Sequence, residues 1–271
     1  MNTLFSVDCI TFAYPGHAPC LLDVSFSVLP GERLALLGAN GCGKSTLLHL
    51  LDGLYFPAAG NITAFDTPLT EENVDNPPFG PQFRQRVGFL FQNTDAMLFC
   101  PTVEEELAFG PLQLQLPREV IKERIGDTLK LLELTHLRHR APQTLSNGQQ
   151  KRVGLAALLM VQPTVLLLDE PTAGLDPRSQ TLLLDMLEKL HSGGMTLITA
   201  THDLELIPHL ADRCLLLGED HRVAAEMPAS ALNNNMELLQ RVNLVHQHPH
   251  KHGDTTHLHP HQHIVGHEHE H

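Results

Sequence analysis

A glycine-rich loop between a predicted strand and a predicted helix constrains this chain more than any other feature. The loop reads GANGCGKST over residues 38–46, and it follows a predicted strand at 32–37 and precedes a predicted helix at 45–51 that ends near Gly53. Glycines let the backbone curl with its amide hydrogens pointing inward, which makes a nest for phosphate. In such loops the lysine reaches the β- and γ-phosphates, the next hydroxyl binds Mg²⁺, and the helix dipole faces the anion.

The loop therefore predicts a nucleotide-phosphate site. We assign phosphate binding, or packing of the loop, to Gly38, Asn40, Gly41, Cys42, Gly43, Lys44, Ser45 and Thr46. Ser45 is in addition the first candidate ligand for Mg²⁺.

Composition limits the function further. The chain has 271 residues, of which 42% are hydrophobic, enough for a sizeable core. Its 31 acidic residues against 18 Lys and Arg give a net charge of -13, which argues against nucleic acid as the main partner.

The five cysteines form no close pair and no metal-type spacing, as expected for reduced thiols in the cytoplasm. No apolar run approaches the ~20 residues of a membrane span, and no signal peptide is evident, so we expect membrane association only through a partner.

The order of predicted elements indicates an α/β fold. Two strands near the N-terminus flank a turn at Tyr14–Gly16 and predict a small antiparallel sheet. A mostly helical insert follows, and the chain then returns to strand and helix alternation, which predicts a mostly parallel sheet with its ligand loops at the carboxyl edge. The predicted strands are 3–12, 21–29, 86–91, 165–168 and 195–200, and the predicted helices include 118–134 and 179–191.

Two carboxylates end the apolar segment Val165–Leu168. Asp169 is predicted to hold Mg²⁺ and Glu170 to orient a water for attack on the γ-phosphate. Acids after a buried strand also serve as helix caps, so this assignment depends on Lys44 upstream.

Together with four further segments, these motifs resemble the nucleotide-binding subunits of ABC transporters. The segments occur in the family's order: Gln92 resembles its Q-loop glutamine, Leu145–Gln149 its signature motif, Gly174–Asp176 its D-loop and Thr201–Asp203 its switch histidine. The resemblance spans residues 1–226 and implies a P-loop ABC ATPase fold, an α/β fold with a mostly parallel core sheet, an N-terminal antiparallel β subdomain and a helical subdomain at about 93–160. ATP and Mg²⁺ are the ligands it implies.

The resemblance also implies roles for individual residues. Glu170, His202 and Gln92 would act in hydrolysis, and Gln92 and Asp169 would bind Mg²⁺ with Ser45. Tyr14 would stack on adenine, although a turn tyrosine is the alternative. Ser146, Gly148 and Asp176 would meet the ATP of a second subunit, so the chain is expected to work as a head-to-tail dimer, and we expect the two subunits to be alike. Asn147 replaces the usual glycine, and because asparagine tolerates left-handed torsions we expect the backbone to be kept.

A narrower resemblance concerns residues 98–111, which are similar to the stretch after the Q-loop in the ATPases of energy-coupling factor importers. In that group this stretch faces a membrane partner, and a C-terminal helical extension, here 227–245, helps to hold two ATPases together. The resemblance implies an integral-membrane coupling subunit, a substrate-binding membrane subunit and a peripheral location on the cytoplasmic face of the membrane. On charge alone, Glu104–Glu106 would be only a solvated helix start.

The segment 246–271 is rich in histidine. Its polarity and its prolines predict disorder. Neutral imidazole binds Ni²⁺, Co²⁺, Zn²⁺ and Cu²⁺, so the tail is a candidate nickel or cobalt site, with an affinity tag as the alternative. Its histidines are His246, His248, His250, His252, His257, His259, His261, His263, His267, His269 and His271.

The sequence thus predicts the ATP-hydrolysing subunit of an energy-coupling factor importer for nickel or cobalt. Import of zinc or of a vitamin remains open, as does a soluble ABC ATPase acting on nucleic acid or ribosomes, although the chain lacks the long coiled-coil insert or second cassette usual there. A nickel-insertion GTPase is disfavoured because the chain has no Asn-Lys-x-Asp guanine reader.

Overall fold

A six-stranded sheet with its strands in the order β10-β9-β3-β8-β7-β6 forms the centre of the molecule. The computed structural model describes residues 3–252 and 255–262, with side chains described up to residue 245. The strands β9, β3, β8, β7 and β6 run parallel, and β10 pairs with β9 antiparallel at one edge. The predicted mostly parallel α/β sheet is confirmed. The strands are β1 Phe5–Ala13, β2 Pro19–Val28, β3 Arg33–Leu37, β4 Ala59–Ala64, β5 Thr67–Pro68, β6 Val87–Leu90, β7 Val165–Asp169, β8 Thr196–Thr201, β9 Arg213–Leu217, β10 Val223–Pro228, β11 Val245–His252 and β12 Thr255–Gln262.

The antiparallel sheet predicted near the N-terminus is present, in the order β2-β1-β4-β5. One apolar core joins it to the central sheet: Phe5 and Ile10 of β1, Leu47 of the helix after the glycine-rich loop, and Leu167 and Ile198 of the central strands all belong to it. That helix is therefore covered on both sides, which fixes the glycine-rich loop at its start.

Helices lie on both faces of the central sheet, and the first of them, which follows the glycine-rich loop, lies between the two sheets. They are α1 Lys44–Leu51, α2 Glu71–Asp75, α3 Phe79–Arg86, α4 Val103–Gln113, α5 Arg118–Leu131, α6 Asn147–Leu159, α7 Pro177–Ser192, α8 Ile207–Leu210 and α9 Met236–Arg241. Helices α4, α5 and α6 share a second core with Leu166 and Leu168 of β7 and Leu183 of α7. The helix predicted at 118–134 is present but ends at Leu131, followed by Leu132 as its C-terminal cap.

The helical pattern predicted within 227–245 is only partly helical. Residues 229–234 form a 3₁₀ helix and α9 spans six residues. Leu232 and Leu239 are buried against β3 and β9 in a third core, so this segment is packed against the central sheet.

The histidine-rich segment differs from the sequence prediction. Its backbone forms an antiparallel hairpin, β11 with β12, in which His246 lies opposite His261, His248 opposite His259 and His250 opposite His257. The predicted disorder is therefore not what the structure has at 245–252 and 255–262. Histidine at alternate positions gives this segment the two-residue period of a strand, and we attribute the pairing to that period. His263, His267, His269 and His271 lie outside the described residues.

Candidate functional site

The glycine-rich loop connects the carboxyl end of β3 to the start of α1, and two of its glycines are required by geometry. Gly38 has φ +153°, and a Cβ there would lie 2.5 Å from Cys42 Sγ and 2.6 Å from the Leu217 carbonyl oxygen. Gly43 has φ +111°, and a Cβ there would lie 2.5 Å from the Cys20 carbonyl oxygen. Both positions combine a torsion that L-residues avoid with close backbone contacts, so only glycine fits.

Lys44 is buried beside this loop. Its Nζ donates hydrogen bonds to the carbonyl oxygens of Gly38, at 2.7 Å, and of Ala39, at 3.1 Å. The ammonium group thus closes the mouth of the loop, where an anion held by the loop amides would meet it.

A cavity of about 570 Å³ opens over the loop. Besides the loop itself, four segments meet at this cavity; one contains Tyr14 and Cys20, and the other three follow the parallel strands β6, β7 and β8. The residues that line it are Tyr14, Cys20, Asn40, Gly41, Gly43, Lys44, Ser45, Thr46, Gln92, Glu170 and His202.

Tyr14 lies at one end of this cavity. Its hydroxyl is 3.1 Å from Thr46 Oγ1. Its ring makes edge contacts with Phe12, at 5.1 Å between centroids, and with Tyr55, at 5.4 Å. The ring is therefore held by neighbours on its edges, which is compatible with a planar ligand beside it.

Ser45 and Asp169 approach each other from α1 and β7. The Ser45 hydroxyl donates to Asp169 Oδ1 at 3.0 Å. Burial raises the pKa of Asp169 above its ordinary value, and the Ser45 hydrogen bond opposes that rise. A hydroxyl and a carboxylate at this distance are oxygen donors of the kind that Mg²⁺ takes, and the exposed Gln92 amide adds a third on the cavity wall. The residues present fit a magnesium ion.

Glu170 is buried at the cavity wall, and both of its carboxylate oxygens make hydrogen bonds. Its Oε1 is 2.7 Å from His202 Nδ1 and its Oε2 accepts from the Thr201 hydroxyl at 3.2 Å. The hydrogen bond to Glu170 raises the pKa of His202 above its ordinary value, while partial burial works against that rise. A carboxylate held this way at a phosphate cavity can orient and deprotonate a water.

The second glycine motif lies away from this cavity. Ser146 is the N-cap of α6 in a capping box: its Oγ accepts from the Gln149 amide, and Gln149 Oε1 accepts from the Ser146 amide. Gly148 packs against α7, because a Cβ there would lie 2.6 Å from Ser179 Oγ. Asn147 is the first residue of α6, with helical backbone, so the left-handed torsion that we considered for it is not needed.

Asp176 is also outside the cavity, as the N-cap of α7. Its Oδ1 accepts from the Ser179 amide at 3.0 Å and its Oδ2 from the Ser179 hydroxyl at 2.6 Å. These hydrogen bonds lower the pKa of Asp176. The structure therefore joins the glycine-rich loop, Gln92, Glu170, His202 and Tyr14 at one site, and it leaves Ser146, Gly148 and Asp176 at another.

A second cavity, of about 350 Å³, adjoins the signature segment and shares Gln92 with the first. It is lined by Gln92, Asn93, Thr94, Asp95, Asn147, Gln150, Lys151, Ala173 and Gly174. Within the part of the chain whose side chains are described, no cluster of three or more His, Cys, Asp or Glu could hold a metal ion.

Three residues of the site were missed by sequence reasoning. Cys20 lines the first cavity, Thr201 bonds Glu170, and Lys151 donates from Nζ to the Glu170 carbonyl oxygen at 2.8 Å. Thr201 stands beside the predicted His202 and could have been found there. Lys151 gave no signal, because a lysine in a helix is usually exposed.

Comparison with known proteins places these features in a family. The model of the ABC transporter family matches residues 21–173. The nickel import ATP-binding protein NikO of Rhodobacter capsulatus is 47% identical over 90% of this chain and 97% of its own length. The energy-coupling factor transporter ATP-binding protein EcfA of Methanocaldococcus jannaschii is 37% identical over 86% of this chain and 82% of its own.

A solved structure is similar to most of this chain. It is cbiO1 of Clostridium perfringens, part of the ABC transporter complex cbiONQ, with a TM-score of 0.77, 31% identity and coverage of 90% of this chain and 96% of that one. Among the described residues, no helix is long and apolar enough to cross a membrane.

Proposed function

Because the chain belongs to the ABC transporter ATP-binding family, we propose that it is the ATP-hydrolysing subunit of an energy-coupling factor importer for nickel or cobalt. Members of the family are ATPases coupled to transport. The observation that supports the chemistry best is the cavity in which the glycine-rich loop, Gln92, Glu170 and His202 meet. The cargo and the importer type are supported by the names of the relatives, one a nickel import protein and one an energy-coupling factor protein.

The first cavity is the ATP site of this proposal. The loop amides of residues 38–46 and Lys44 hold the phosphates, and Tyr14 stacks on the adenine. Ser45, Asp169 and Gln92 hold Mg²⁺, which neutralises charge on the β- and γ-phosphates when bound. Lys44 already lies against the Gly38 carbonyl at 2.7 Å, so it needs only to turn toward an incoming phosphate.

Hydrolysis is assigned to the pair of Glu170 and His202. Glu170 orients the attacking water and accepts its proton. His202, which directly follows β8, holds Glu170 Oε1 at 2.7 Å and lines the cavity wall, where a γ-phosphate would lie. Thr201 fixes the other oxygen, so that the carboxylate has one orientation.

The signature residues require a second subunit. Ser146 and Gly148 start α6, where free amides and the helix dipole favour an anion, yet neither lines the ATP cavity of its own chain. A head-to-tail dimer brings them, with Asp176, to the ATP of the other chain. Loss of the γ-phosphate after hydrolysis removes the link between subunits, and opening of the dimer is the mechanical output.

A patch of exposed apolar side chains marks the surface for the membrane partner. We call Phe99, Phe109 and Leu112 the aromatic patch; they are 61%, 43% and 52% exposed. The Phe99 and Phe109 rings meet edge to face with centroids 4.9 Å apart. The buried Glu106 carboxylate accepts the amides of Phe99 and Cys100 at 2.9 and 2.8 Å, which holds the loop that carries Phe99.

This patch lies in the stretch that resembles the partner-facing segment of energy-coupling factor ATPases. Its proposed occupant is a cytoplasmic helix of the integral-membrane coupling subunit, and a separate membrane subunit binds the substrate. The chain is then peripheral, on the cytoplasmic face of the membrane.

The histidine hairpin is proposed to bind Ni²⁺ or Co²⁺. Three histidine pairs face each other in its backbone register, and imidazole suits both ions. Binding of Ni²⁺ or Co²⁺ by the hairpin would support a metal ion as the transported substrate. The substrate-binding subunit would determine which ion is transported.

Uptake by cells that express the complete transporter tests the proposal. We expect Lys44→Ala to abolish uptake of radioactive nickel or cobalt, and a chain ending before His246 to keep most of it. Uptake of zinc or of a vitamin instead would contradict the metal assignment. Hydrolysis that is stimulated by nucleic acid without the membrane subunits would contradict transport.

A further inference from the structure

Glu170 has an uncommon backbone conformation. Its φ is +43°, in the left-handed region that residues other than glycine, asparagine and aspartate rarely enter. Such a conformation persists only where the surroundings fix it. It directs the side chain of Glu170 from the end of β7 toward His202 and Thr201 at the end of β8, so whatever fixes this backbone also fixes the proposed general base.

The backbone of Glu170 is fixed by three hydrogen bonds. Its amide donates to the Ala200 carbonyl at 2.9 Å, and its carbonyl accepts from the Ala173 amide at 3.1 Å. The third comes from a side chain, Lys151, whose Nζ donates to the same carbonyl at 2.8 Å. The first two are parts of the local turn and sheet, whereas the third comes from a different helix.

Lys151 is 5% exposed, which is rare for a lysine. Burial lowers its pKa to about 8, although Glu170 and Asp169 favour its charged form. Removing an ammonium group from water is unfavourable unless hydrogen bonds replace the water. Among the described residues, the Glu170 carbonyl oxygen is the one protein acceptor to which Lys151 Nζ donates a hydrogen bond. This bond therefore compensates for the burial of the ammonium group.

We propose that Lys151 is a positioning residue that holds Glu170 in its left-handed conformation and so keeps the carboxylate aimed at the attacking water. Lys151 lies in the first two turns of α6, the helix that Ser146 begins. The same lysine thus ties the signature helix of each chain to the general base of that chain. The proposal rests on the proposed function of Glu170 and assigns to Lys151 no contact with ATP.

The test separates chemistry from binding. Three variants of the full chain are compared with wild type in single-turnover hydrolysis of ATP and in equilibrium binding of MgATP. Lys151→Met keeps the length of the side chain but removes the donor, and Lys151→Arg restores a donor. Gln150→Met is the matched control, since Gln150 is buried on the same helix and donates to the Pro142 carbonyl at 3.2 Å without touching Glu170.

We expect Lys151→Met to lower the hydrolysis rate by about 10- to 100-fold, because a general base that is out of position accelerates the reaction much less. Its Kd for MgATP should stay within about twofold of wild type, because the phosphate loop is unchanged. Lys151→Arg should recover most of the rate, and Gln150→Met should lower the melting temperature without lowering the rate.

The proposal is overturned if Lys151→Met hydrolyses ATP at the wild-type rate, or if Gln150→Met slows hydrolysis as much. It is also overturned if rate and affinity fall together. A wild-type chain that binds MgATP but never hydrolyses it, even with its membrane subunits, would instead refute the proposed function, so the two failures are distinguishable.

Discussion

His202 Nδ1 lies 2.7 Å from Glu170 Oε1, and this contact joins the ends of two adjacent parallel strands at the phosphate cavity. The two residues are 32 positions apart in sequence. The contact raises the pKa of His202, so the histidine takes up a proton more readily than a free imidazole. In the proposed function, Glu170 would be the base for the attacking water and His202 would donate a hydrogen bond to the γ-phosphate.

The first prediction concerns that pKa. Glu170→Gln removes the negative partner, so the pKa of His202 should fall toward its ordinary value of 6.5. Imidazole titration by NMR measures it, with the His202 signal identified by its absence in His202→Gln. In wild type, the stability that the charged pair contributes is complete below pH 6.5 and is lost as the pH rises through the raised pKa. An unchanged His202 pKa in Glu170→Gln would show that the contact is absent in solution.

The second prediction concerns hydrolysis. Glu170→Gln should lower the hydrolysis rate by about 10² to 10⁴-fold, the usual contribution of a general base, while ATP still binds. The variant should therefore accumulate as an ATP-bound dimer in analytical ultracentrifugation. Lys44→Ala, which loses phosphate binding, is the control that should stay monomeric with ATP. If Glu170→Gln hydrolyses ATP at the wild-type rate, Glu170 is not the general base.

The third prediction concerns the departure from the family's signature. Asn147 is the first helical residue of α6, a position that needs no special torsion, so Asn147→Gly should change ATP hydrolysis by less than about threefold. Steady-state kinetics of both chains measure it. A tenfold change would mean that the Asn147 side chain itself contacts nucleotide or partner.

The fourth prediction concerns Glu106. Glu106→Ala leaves two amides of the loop before α4 without an acceptor and should reduce the free energy of unfolding by about 2 to 4 kcal/mol. Thr102→Ala removes the N-cap of α4, whose hydroxyl accepts the Glu105 amide at 3.2 Å, and should cost about 1 kcal/mol. Chemical denaturation measures both.

The two variants should differ in partner binding. Glu106→Ala displaces Phe99, so it should lose co-purification with the membrane subunits, whereas Thr102→Ala should keep it. Equal binding by both variants would contradict the role of the aromatic patch.

The sequence alone was sufficient to place a structural motif that consists of consecutive residues. The loop from Gly38 to Thr46 is such a case, since its glycines, Lys44 and Ser45 are fixed by the chain itself. The mostly parallel sheet followed from the alternation of apolar segments with helices.

Sequence was insufficient where a contact depends on tertiary packing. The hydrogen bond from Lys151 to the Glu170 carbonyl joins α6 to the end of β7, and no periodic pattern in the sequence predicts it. Asn147 was expected to need tolerance of left-handed torsions, but the start of α6 gives it helical torsions. The prediction of disorder for the histidine segment rested on its polarity and its prolines. It did not consider that histidine at alternate positions has the two-residue period of a strand.

The central claim is that each ATP site is built from two chains. Lys44→Ala destroys the phosphate loop and Ser146→Arg the signature motif, so each variant alone should be inactive. Co-expressed, the two variants can form mixed dimers that carry one intact site of two, so hydrolysis should return to about half of the wild-type rate per mixed dimer. If the mixed sample hydrolyses ATP no faster than either variant alone, the composite site, and with it this account of the dimer, is wrong.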